Sequence, residues 1–440
     1  MKNIFNNNIK TYFGILALAA VASCAPEIDN FEPKAGSEAD FSSYIAIGNS
    51  LTAGFADGGL YLEGQKVAYP NLIAEQLKSV GGGEFTSPFF DESQRNGSGY
   101  IQLADLVNGT PVTKQITDNL AYIAPGKLMK YTGDFQNLGV PGMRIDLAYA
   151  AQFGALNMYY ARLLADNEVG QKSYFDFTAN RKHTFFSFWL GNNDALGYAM
   201  NGAVHNLADP TTALTSVATF KQGYDGFIKN LTLEKQKGVV ATIPDVTAVP
   251  YFTTVTTDRL VEAVKAASNN TLSNIFIQTK TTVRPATSAD LFMLTFPTDT
   301  LGKTNSIGPG YGVSPLNPLS DNYVLDKDEV VEVSKQVTEY NKIIKDAAAN
   351  NDLALADAHA YMNKVASRDA QGNPVGINYN GMRITAAFVS GNAFSMDGIH
   401  LTPIGNALIA NLYIDAINAQ YKSKIPKVDA TKFHGVIFPK

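Results

Sequence analysis

The sequence predicts an α/β fold built on a mostly parallel central sheet, and three observations favour it. Short apolar runs alternate along the chain with segments of helical periodicity. The run HTFFSFWL at 183–190 is continuously apolar, as is typical of a strand buried on both faces of a parallel sheet. The segment 213–231 carries large apolar residues at spacings of three and four, the pattern of an amphipathic helix. Alternating strands and helices predict a sheet that is covered by helices.

The predicted elements follow one another in a regular order. Strands are expected at 44–47, 137–142, 183–190, 239–243 and 353–357, and helices at 70–77, 145–165, 213–231, 330–344 and after Pro403. The stretches at about 84–136, 253–325 and 360–394 lack a clean period and are interpreted as insertions. Because crossovers between parallel strands are right-handed, the carboxyl ends of the strands should meet at one edge, where ligands bind in such sheets.

Composition excludes several classes of function. The chain has 440 residues and a formal net charge of −5. Because it has no excess of basic residues, nucleic acid is an unexpected partner. Five scattered histidines and a single cysteine give no zinc-ligand spacing and permit no disulfide within the chain. Neither G-x-G-x-x-G nor G-x-x-x-x-G-K-[ST] occurs, so a nucleotide site has no support. We therefore predict no metal and no cofactor.

The first residues have the features of an export signal. Lys2 and Lys10 precede about ten apolar residues, which are too few to span a bilayer. The segment ends at VASC, which resembles a bacterial lipobox, and Cys24 is the only cysteine. We predict a signal peptide at 1–23, a lipid on Cys24 and a flexible tether at 24–42. Plain secretory cleavage beside an incidental cysteine is the alternative.

An Asp-x-x-His motif lies near the other end of the chain. Asp397 and His400 stand just before Thr402 and Pro403, a good N-cap and a good first helical residue. A carboxylate three residues from an imidazole on such a turn fixes the tautomer of the ring and supports its protonated form. The alternative is an ordinary solvated turn with a surface histidine.

A second motif, at the end of the first predicted strand, bears on the role of Asp397 and His400. The sequence GNSL at 48–51, combined with the late Asp-x-x-His, resembles the SGNH (GDSL-type) hydrolases. The resemblance implies that Ser50 is the nucleophile and that His400 and Asp397 complete a catalytic triad. It also implies an oxyanion hole formed by the N–H groups of Ser50 and Gly142 and by the side-chain amide of Asn193. All these motifs occur in the order in which the family has them, over about residues 44–421.

The same resemblance implies a three-layer, flavodoxin-like fold and the cleavage of carboxylic esters. The hydrolase domain would span 43–422 and a C-terminal tail 423–440. The chain departs from the family at Asn49, where an aspartate is usual. Asn49 is not a member of the triad, so activity should survive.

The substrate remains open at this stage. Acyl esters are slightly favoured, and an O-acetylated glycan cleaved by the same mechanism is the near alternative. A catalytically weak binding lipoprotein is a third possibility. The predicted location is the cell envelope, with a lipid anchor in the outer membrane of a Gram-negative bacterium.

Overall fold

The structure is a computed structural model and describes residues 31–107 and 109–439. The predicted signal peptide and Cys24 lie outside these residues. From Lys34 onward the described residues form one compact unit. Within the described part of the chain, no helix combines the length and the apolarity needed to cross a membrane.

The strands are short and most lie in pairs outside the central sheet. In chain order they are β1 (Tyr44–Gly48), β2 (Tyr100–Val107), β3 (Thr110–Ile116), β4 (Tyr122–Ala124), β5 (Lys127–Leu128), β6 (Phe185–Trp189), β7 (Lys237–Ala241), β8 (Phe276–Gln278), β9 (Val283–Pro285), β10 (Leu291–Phe292), β11 (Val324–Leu325), β12 (Ala354–Ala356), β13 (Ile377–Tyr379) and β14 (Met382–Ile384).

The helices range from single turns to long packed rods. In chain order they are α1 (Ser50–Ala53), α2 (Leu62–Lys66), α3 (Tyr69–Leu77), α4 (Phe153–Leu156), α5 (Met158–Ala161), α6 (Tyr174–Ala179), α7 (Asn193–Met200), α8 (Val217–Leu231), α9 (Pro250–Thr253), α10 (Thr257–Ala267), α11 (Lys327–Asn350), α12 (Ala358–Val365) and α13 (Pro403–Tyr421).

The central sheet has the order β1-β6-β7-β12, and all its strands are parallel. The segment 137–140 runs along the free edge of β1, where Leu138 N–H donates to Ala46 O at 2.7 Å and Val140 N–H donates to Gly48 O at 3.0 Å. After β1, the chain thus first runs along one edge of this strand, at 137–140, and then adds β6 at the other edge. This makes the end of β1 a topological switch point, the place where open α/β sheets bind ligands.

Helices cover both faces of the sheet, as the predicted three-layer α/β fold requires. On one face, Ile45, Ile47 and Phe188 pack among buried residues of α6, α8 and α11. On the other face, Ala46 and Trp189 pack among buried residues of α3, α12 and α13. Alternate residues of the same strand therefore enter separate cores, which explains why the strands read as continuous apolar runs.

The structure corrects two predicted elements and one boundary. Residues 145–165 form turns and the single-turn helices α4 and α5 rather than one long helix. The side chain of Asn157 accepts from Tyr159 N–H and Tyr160 N–H, so it caps a new helix where the long one should continue. The predicted strand at 137–142 makes only the edge contacts described above. The predicted tether reaches residue 42. However, the backbone of Lys34 already forms an antiparallel β-bridge with Lys424, and Phe41 is buried.

The predicted insertions contain structure of their own. The first holds the hairpin β2–β3 and the pair β4–β5, and the second holds α10 with the pairs β8–β9 and β10–β11. The third holds the pair β13–β14. The dipeptide Asn108-Gly109 is a strong hairpin signal and could have revealed β2–β3 from the sequence. Residues of the predicted tail also pack, because Asn411 and Val428 exchange two hydrogen bonds of 2.7 and 2.9 Å.

Gly48 ends β1 at a point where no side chain fits. A Cβ atom there would lie 2.0 Å from Thr52 Oγ1 and 2.8 Å from the carbonyl oxygen of Trp189. The turn from β1 into α1 therefore requires glycine for reasons of space.

We expect Gly48→Ala to lower the free energy of unfolding by about 1–3 kcal/mol, the usual cost of overpacking. Activity should fall as well, because the clash displaces the turn that carries Ser50. Urea denaturation followed by circular dichroism measures the first effect. An unchanged unfolding midpoint would contradict the close approach at Gly48.

Candidate active site

Ser50 is held at the carboxyl end of β1 as the first residue of α1. Its side chain projects from a buried backbone, and the residue is 7% exposed. Asn49 caps the helix, since its Oδ1 accepts from Leu51 N–H at 3.1 Å. As the first residue of a helix, Ser50 has an N–H group without an intrahelical acceptor. Both the hydroxyl and the amide of Ser50 are therefore fixed in position at the switch point.

His400 and Asp397 are placed by the loop that leads into α13. Thr402 caps this helix, because its side chain accepts from Gly405 N–H at 3.2 Å, and Pro403 is the first helical residue. The carboxylate of Asp397 accepts from the N–H groups of Ile399 and His400 at 2.9 and 2.8 Å. Local hydrogen bonds and a docked helix thus fix both side chains.

The structure brings Ser50, His400 and Asp397 into one chain of hydrogen bonds. His400 Nε2 lies 2.9 Å from Ser50 Oγ, and His400 Nδ1 lies 2.8 Å from Asp397 Oδ2. The ring of Phe55 packs against the imidazole at a centroid distance of 4.7 Å. The side chains of His400 and Asp397 are only 14% and 12% exposed, so the alternative of a solvated surface turn is wrong.

The carboxylate of Asp397 stays ionised. Burial opposes its charge, but the nearby His400 ring and the hydrogen bonds from His400 and Ile399 outweigh that effect and hold its pKa well below the usual range. The negative carboxylate of Asp397 beside His400 Nδ1 fixes the tautomer in which Nδ1 carries the proton. Nε2 is then free to accept a proton from Ser50.

Gly142 and Asn193 lie beside Ser50 on the two neighbouring chain segments. Gly142 has a φ of +79° and forms the turn after the edge segment of β1. Its N–H has no hydrogen-bond acceptor among the described residues. Asn193 opens α7 after β6, and its Nδ2 donates one hydrogen to Met143 O at 3.0 Å. The second amide hydrogen of Asn193 has no acceptor there.

A buried ionic network joins these two segments. Arg144 is 1% exposed, and its guanidinium donates to Asn193 O at 3.0 Å and to Asp146 at 2.8 and 2.7 Å. Asp194 accepts from Ile145 N–H at 2.9 Å and from Thr215 Oγ1 at 2.9 Å. The residues next to Gly142 and Asn193 are therefore tied to each other. No local sequence signal identifies Arg144 or Asp194, because every partner except Asp146 of Arg144 lies far away in the chain.

A second group of hydrogen bonds ties the loop after α1 to the loop that carries Asp397. Asp57 N–H donates to Ser395 Oγ at 2.9 Å, Met396 N–H donates to Asp57 Oδ1 at 2.8 Å, and Gly58 N–H donates to Asp397 Oδ2 at 2.8 Å. We call this group the 57–397 clamp. Burial raises the pKa of Asp57, although its hydrogen bonds with Tyr61 and Met396 oppose the rise. No local sequence signal indicates this clamp, because its hydrogen bonds join residues 338 and 339 positions apart.

Two cavities meet at Ser50 and His400. One is an open cleft of about 990 Å³ that also contacts Phe55, Gly142 and Asn193. The other is smaller, with a volume of about 60 Å³, and is lined mainly by apolar side chains that include Val249, Met362 and Ile409. A substrate bound at Ser50 thus has an apolar space on one side and an open space on the other. Among the described residues, no cluster of His, Cys, Asp and Glu has the arrangement of a metal site.

Comparisons with known proteins find one matching family and several similar structures. The family model described as GDSL-like lipase/acylhydrolase matches residues 44–413. Among solved structures, the chain is similar to the lipase/acylhydrolase from Enterococcus faecalis, with 11% identity, coverage of 88% of this chain and 98% of that one, and a TM-score of 0.32. It is also similar to an extracellular lipase from Streptomyces rimosus, with 13% identity, coverage of 86% and 98%, and a TM-score of 0.33. No curated protein sequence matches the chain significantly.

The 57–397 clamp yields a prediction about catalysis. Asp57→Ala removes the acceptor for Met396 N–H, so the loop of Asp397 and His400 should shift relative to Ser50. A misplacement of about 1 Å costs up to about 10²-fold in rate. We expect kcat to fall by about tenfold or more on a short aryl ester, with a smaller change in KM.

Two further variants keep this prediction specific. Asp57→Asn retains an oxygen for Met396 and tolerates the positive φ of 54° at this position, so it should recover much of the activity. Asp134→Ala, at an exposed carboxylate away from the clamp, should resemble the wild type. If Asp57→Ala keeps wild-type kcat while remaining folded, the clamp does not position the loop.

Proposed function

This chain belongs to the family of GDSL-like lipases and acylhydrolases, and we propose that it is a serine hydrolase that cleaves carboxylic esters with Ser50 as its nucleophile. The observation that carries the proposal is the hydrogen-bonded series Ser50–His400–Asp397, with distances of 2.9 and 2.8 Å. Nucleophile, base and orienting carboxylate are all within the reach that proton transfer requires.

In the proposed mechanism, His400 Nε2 takes the proton of the Ser50 hydroxyl as the oxygen attacks the ester carbonyl. Asp397 remains ionised and stabilises the imidazolium that forms. His400 then returns the proton to the departing alcohol oxygen, and the acyl group stays bonded to Ser50. Water, activated by the same imidazole, cleaves this acyl-enzyme and releases the carboxylic acid. The net reaction consumes one water for each ester bond.

The negative charge that develops on the carbonyl oxygen needs hydrogen-bond donors already in place. Among the described residues the N–H groups of Ser50 and Gly142 and the second amide hydrogen of Asn193 have no acceptor. All three residues line the same cleft, so they are the donors that we assign to this role. The Arg144 network keeps the Gly142 and Asn193 segments together. Donors that are fixed before the reaction stabilise the transition state without reorganisation.

Kinetics of two variants separate these roles. Ser50→Ala should abolish turnover, because the covalent route is lost. Asn193→Ala keeps nucleophile and base but removes one oxyanion donor, which typically costs about 10²–10³ in kcat. KM should change far less, since the donor acts mainly after charge develops. Rates on a short-chain aryl ester measure both effects.

A melting curve serves as the control for this pair. If Asn193→Ala keeps near-normal kcat, or if its activity loss merely follows unfolding, Asn193 is only a turn residue at the end of β6. Substantial turnover by Ser50→Ala would contradict the nucleophile itself.

We also propose that the protein is a lipid-anchored component of the cell envelope, in the outer membrane of a Gram-negative bacterium. The support is the VASC motif that follows the short apolar run. A hydrolase tethered in this way would meet acyl lipids and acylated glycans, the substrate classes that the sequence analysis left open.

The anchor depends on one residue. Cys24→Ala should move the protein from the membrane fraction to the soluble fraction, while ester hydrolysis by the released body stays unchanged. Mass spectrometry of the membrane-extracted wild type should find a lipid-modified N-terminus at Cys24. An unmodified N-terminus at another residue would rule the anchor out.

A further inference from the structure

The open cleft beside Ser50 has a basic lining in an acidic protein. Lys127, Lys130 and Arg162 contact the cleft, while Asp166 is its one carboxylate in the described part of the chain. The formal net charge of the whole chain is −5, so this concentration of cations opposes the general trend. Clefts lined by one sign of charge attract ligands of the other sign.

Arg162 is the least expected of these cations, because it is buried without a carboxylate. The residue is 4% exposed, and its terminal nitrogens donate to Pro88 O at 2.8 Å and Phe89 O at 3.0 Å. Its Nε has no acceptor, and no carboxylate among the described residues lies within 4.0 Å. Buried charges are normally paired with opposite charges.

The charge of Arg162 nevertheless persists. Burial lowers its pKa to about 10, which still leaves the guanidinium protonated at neutral pH. The ring of Phe90 lies 4.2 Å from the guanidinium carbon and compensates part of the charge. Asp91 offsets the charge only at longer range, and Arg162 lines the cleft, so it adds positive charge to the cleft wall.

Lys127 and Lys130 add to the potential nearer the surface. Lys130 Nζ donates to Ala161 O at 2.9 Å and to Leu164 O at 2.7 Å, and it lies 3.2 Å from the highly exposed Asp166. Lys127 is exposed and has no carboxylate partner among the residues that the structure describes. The cleft therefore keeps an excess of positive charge after its one internal ion pair is counted.

The two cavities differ in which part of an ester they suit. The acyl group stays bonded to Ser50 while the alcohol leaves and water enters, so the alcohol needs the open cleft. The smaller cavity of about 60 Å³ has mainly apolar walls, which suit the hydrocarbon of an acyl chain. The cationic lining thus faces the alcohol part of the ester.

We propose that the preferred substrates are esters whose alcohol part carries a negative charge, a phosphate or a carboxylate, bound in the cleft of Lys127, Lys130 and Arg162. The proposal rests on the ester hydrolysis proposed above and adds the chemical class of the leaving group. Phosphate and carboxylate share the chemistry that recognises them, so the experiment must distinguish the two.

The test compares acetyl esters of three phenols that differ in the para substituent and therefore in the charge of the alcohol part. The alcohols are methyl 4-hydroxybenzoate, which is neutral, 4-hydroxybenzoate, which carries a carboxylate, and 4-hydroxyphenyl phosphate. At low ionic strength, kcat/KM should be higher for at least one anionic ester than for the neutral one, after correction for the rates of uncatalysed hydrolysis. The preference should shrink as salt is added, because salt screens exposed charges. The larger ratio identifies phosphate or carboxylate as the better ligand.

A charge variant and a matched control connect this preference to the cleft. Lys127→Gln should reduce the ratio of anionic to neutral kcat/KM by up to about fivefold, the effect of one exposed charge interaction. Lys229→Gln, on the exposed side of α8, should leave the ratio unchanged. Arg162 is not used for this test, because its contacts with Pro88 and Phe89 also support the fold.

Several outcomes overturn the proposal. Equal kcat/KM for neutral and anionic esters at low salt, or an unchanged ratio in Lys127→Gln, shows that the cleft does not recognise the charge. A preference for a negative charge in the acyl part, measured with the 4-nitrophenyl monoester of succinate against the butyrate ester, reverses the assignment of the two cavities. If the wild type cleaves the neutral ester and Ser50→Ala does not, the proposed ester hydrolysis stands. The failures above then contradict only the proposed charge of the leaving group. If the wild type cleaves none of the esters, the proposed function fails and this inference fails with it.

Discussion

The hydrogen bond between Ser50 Oγ and His400 Nε2 is the contact on which the rest of the site depends. It spans 2.9 Å and joins residues that are 350 positions apart in the sequence. One partner is set by the end of β1, where only glycine fits before the turn. The other is set by the capped start of α13, which packs into the core on one face of the sheet. The end of β1 and the start of α13 therefore bring Ser50 and His400 within the distance that proton transfer requires.

Two hydrogen-bond networks hold the segments around this contact. The 57–397 clamp holds the loop of Asp397 and His400 against the loop that follows Ser50. The Arg144 network holds the segments of Gly142 and Asn193, with two carboxylates around one guanidinium. Burial and the nearby Asp146 raise the pKa of Asp194 to about 7, although Arg144 acts in the opposite direction. Partly compensated charge of this kind costs stability. Because Arg144 donates to Asn193 O, we infer that the network is retained for the geometry of the proposed oxyanion donors.

Much of the fold and of the candidate site could be predicted from the sequence, because both have local signals. Continuous apolar runs identified β1, β6, β7 and β12, and capping residues identified the start of α13. The helix expected at 145–165 is absent because Asn157 caps a new turn, and local periodicity does not show that competition. The clamp and the Arg144 network escaped prediction because, apart from Arg144–Asp146, each contact joins residues far apart in the chain. The basic cleft escaped because Lys127 and Lys130 come from the first insertion and Arg162 comes from the turn after α5.

Covalent labelling tests the central claim most directly, because a fluorophosphonate reacts with an activated serine and needs no knowledge of the natural substrate. Intact-mass measurement followed by peptide mapping would locate the adduct. We expect a single phosphonyl group on the peptide that contains Ser50, and a strong loss of labelling in His400→Ala. An unlabelled wild-type protein, an adduct on a different residue, or equally fast labelling of His400→Ala would contradict the assignment of Ser50 as a nucleophile activated by His400.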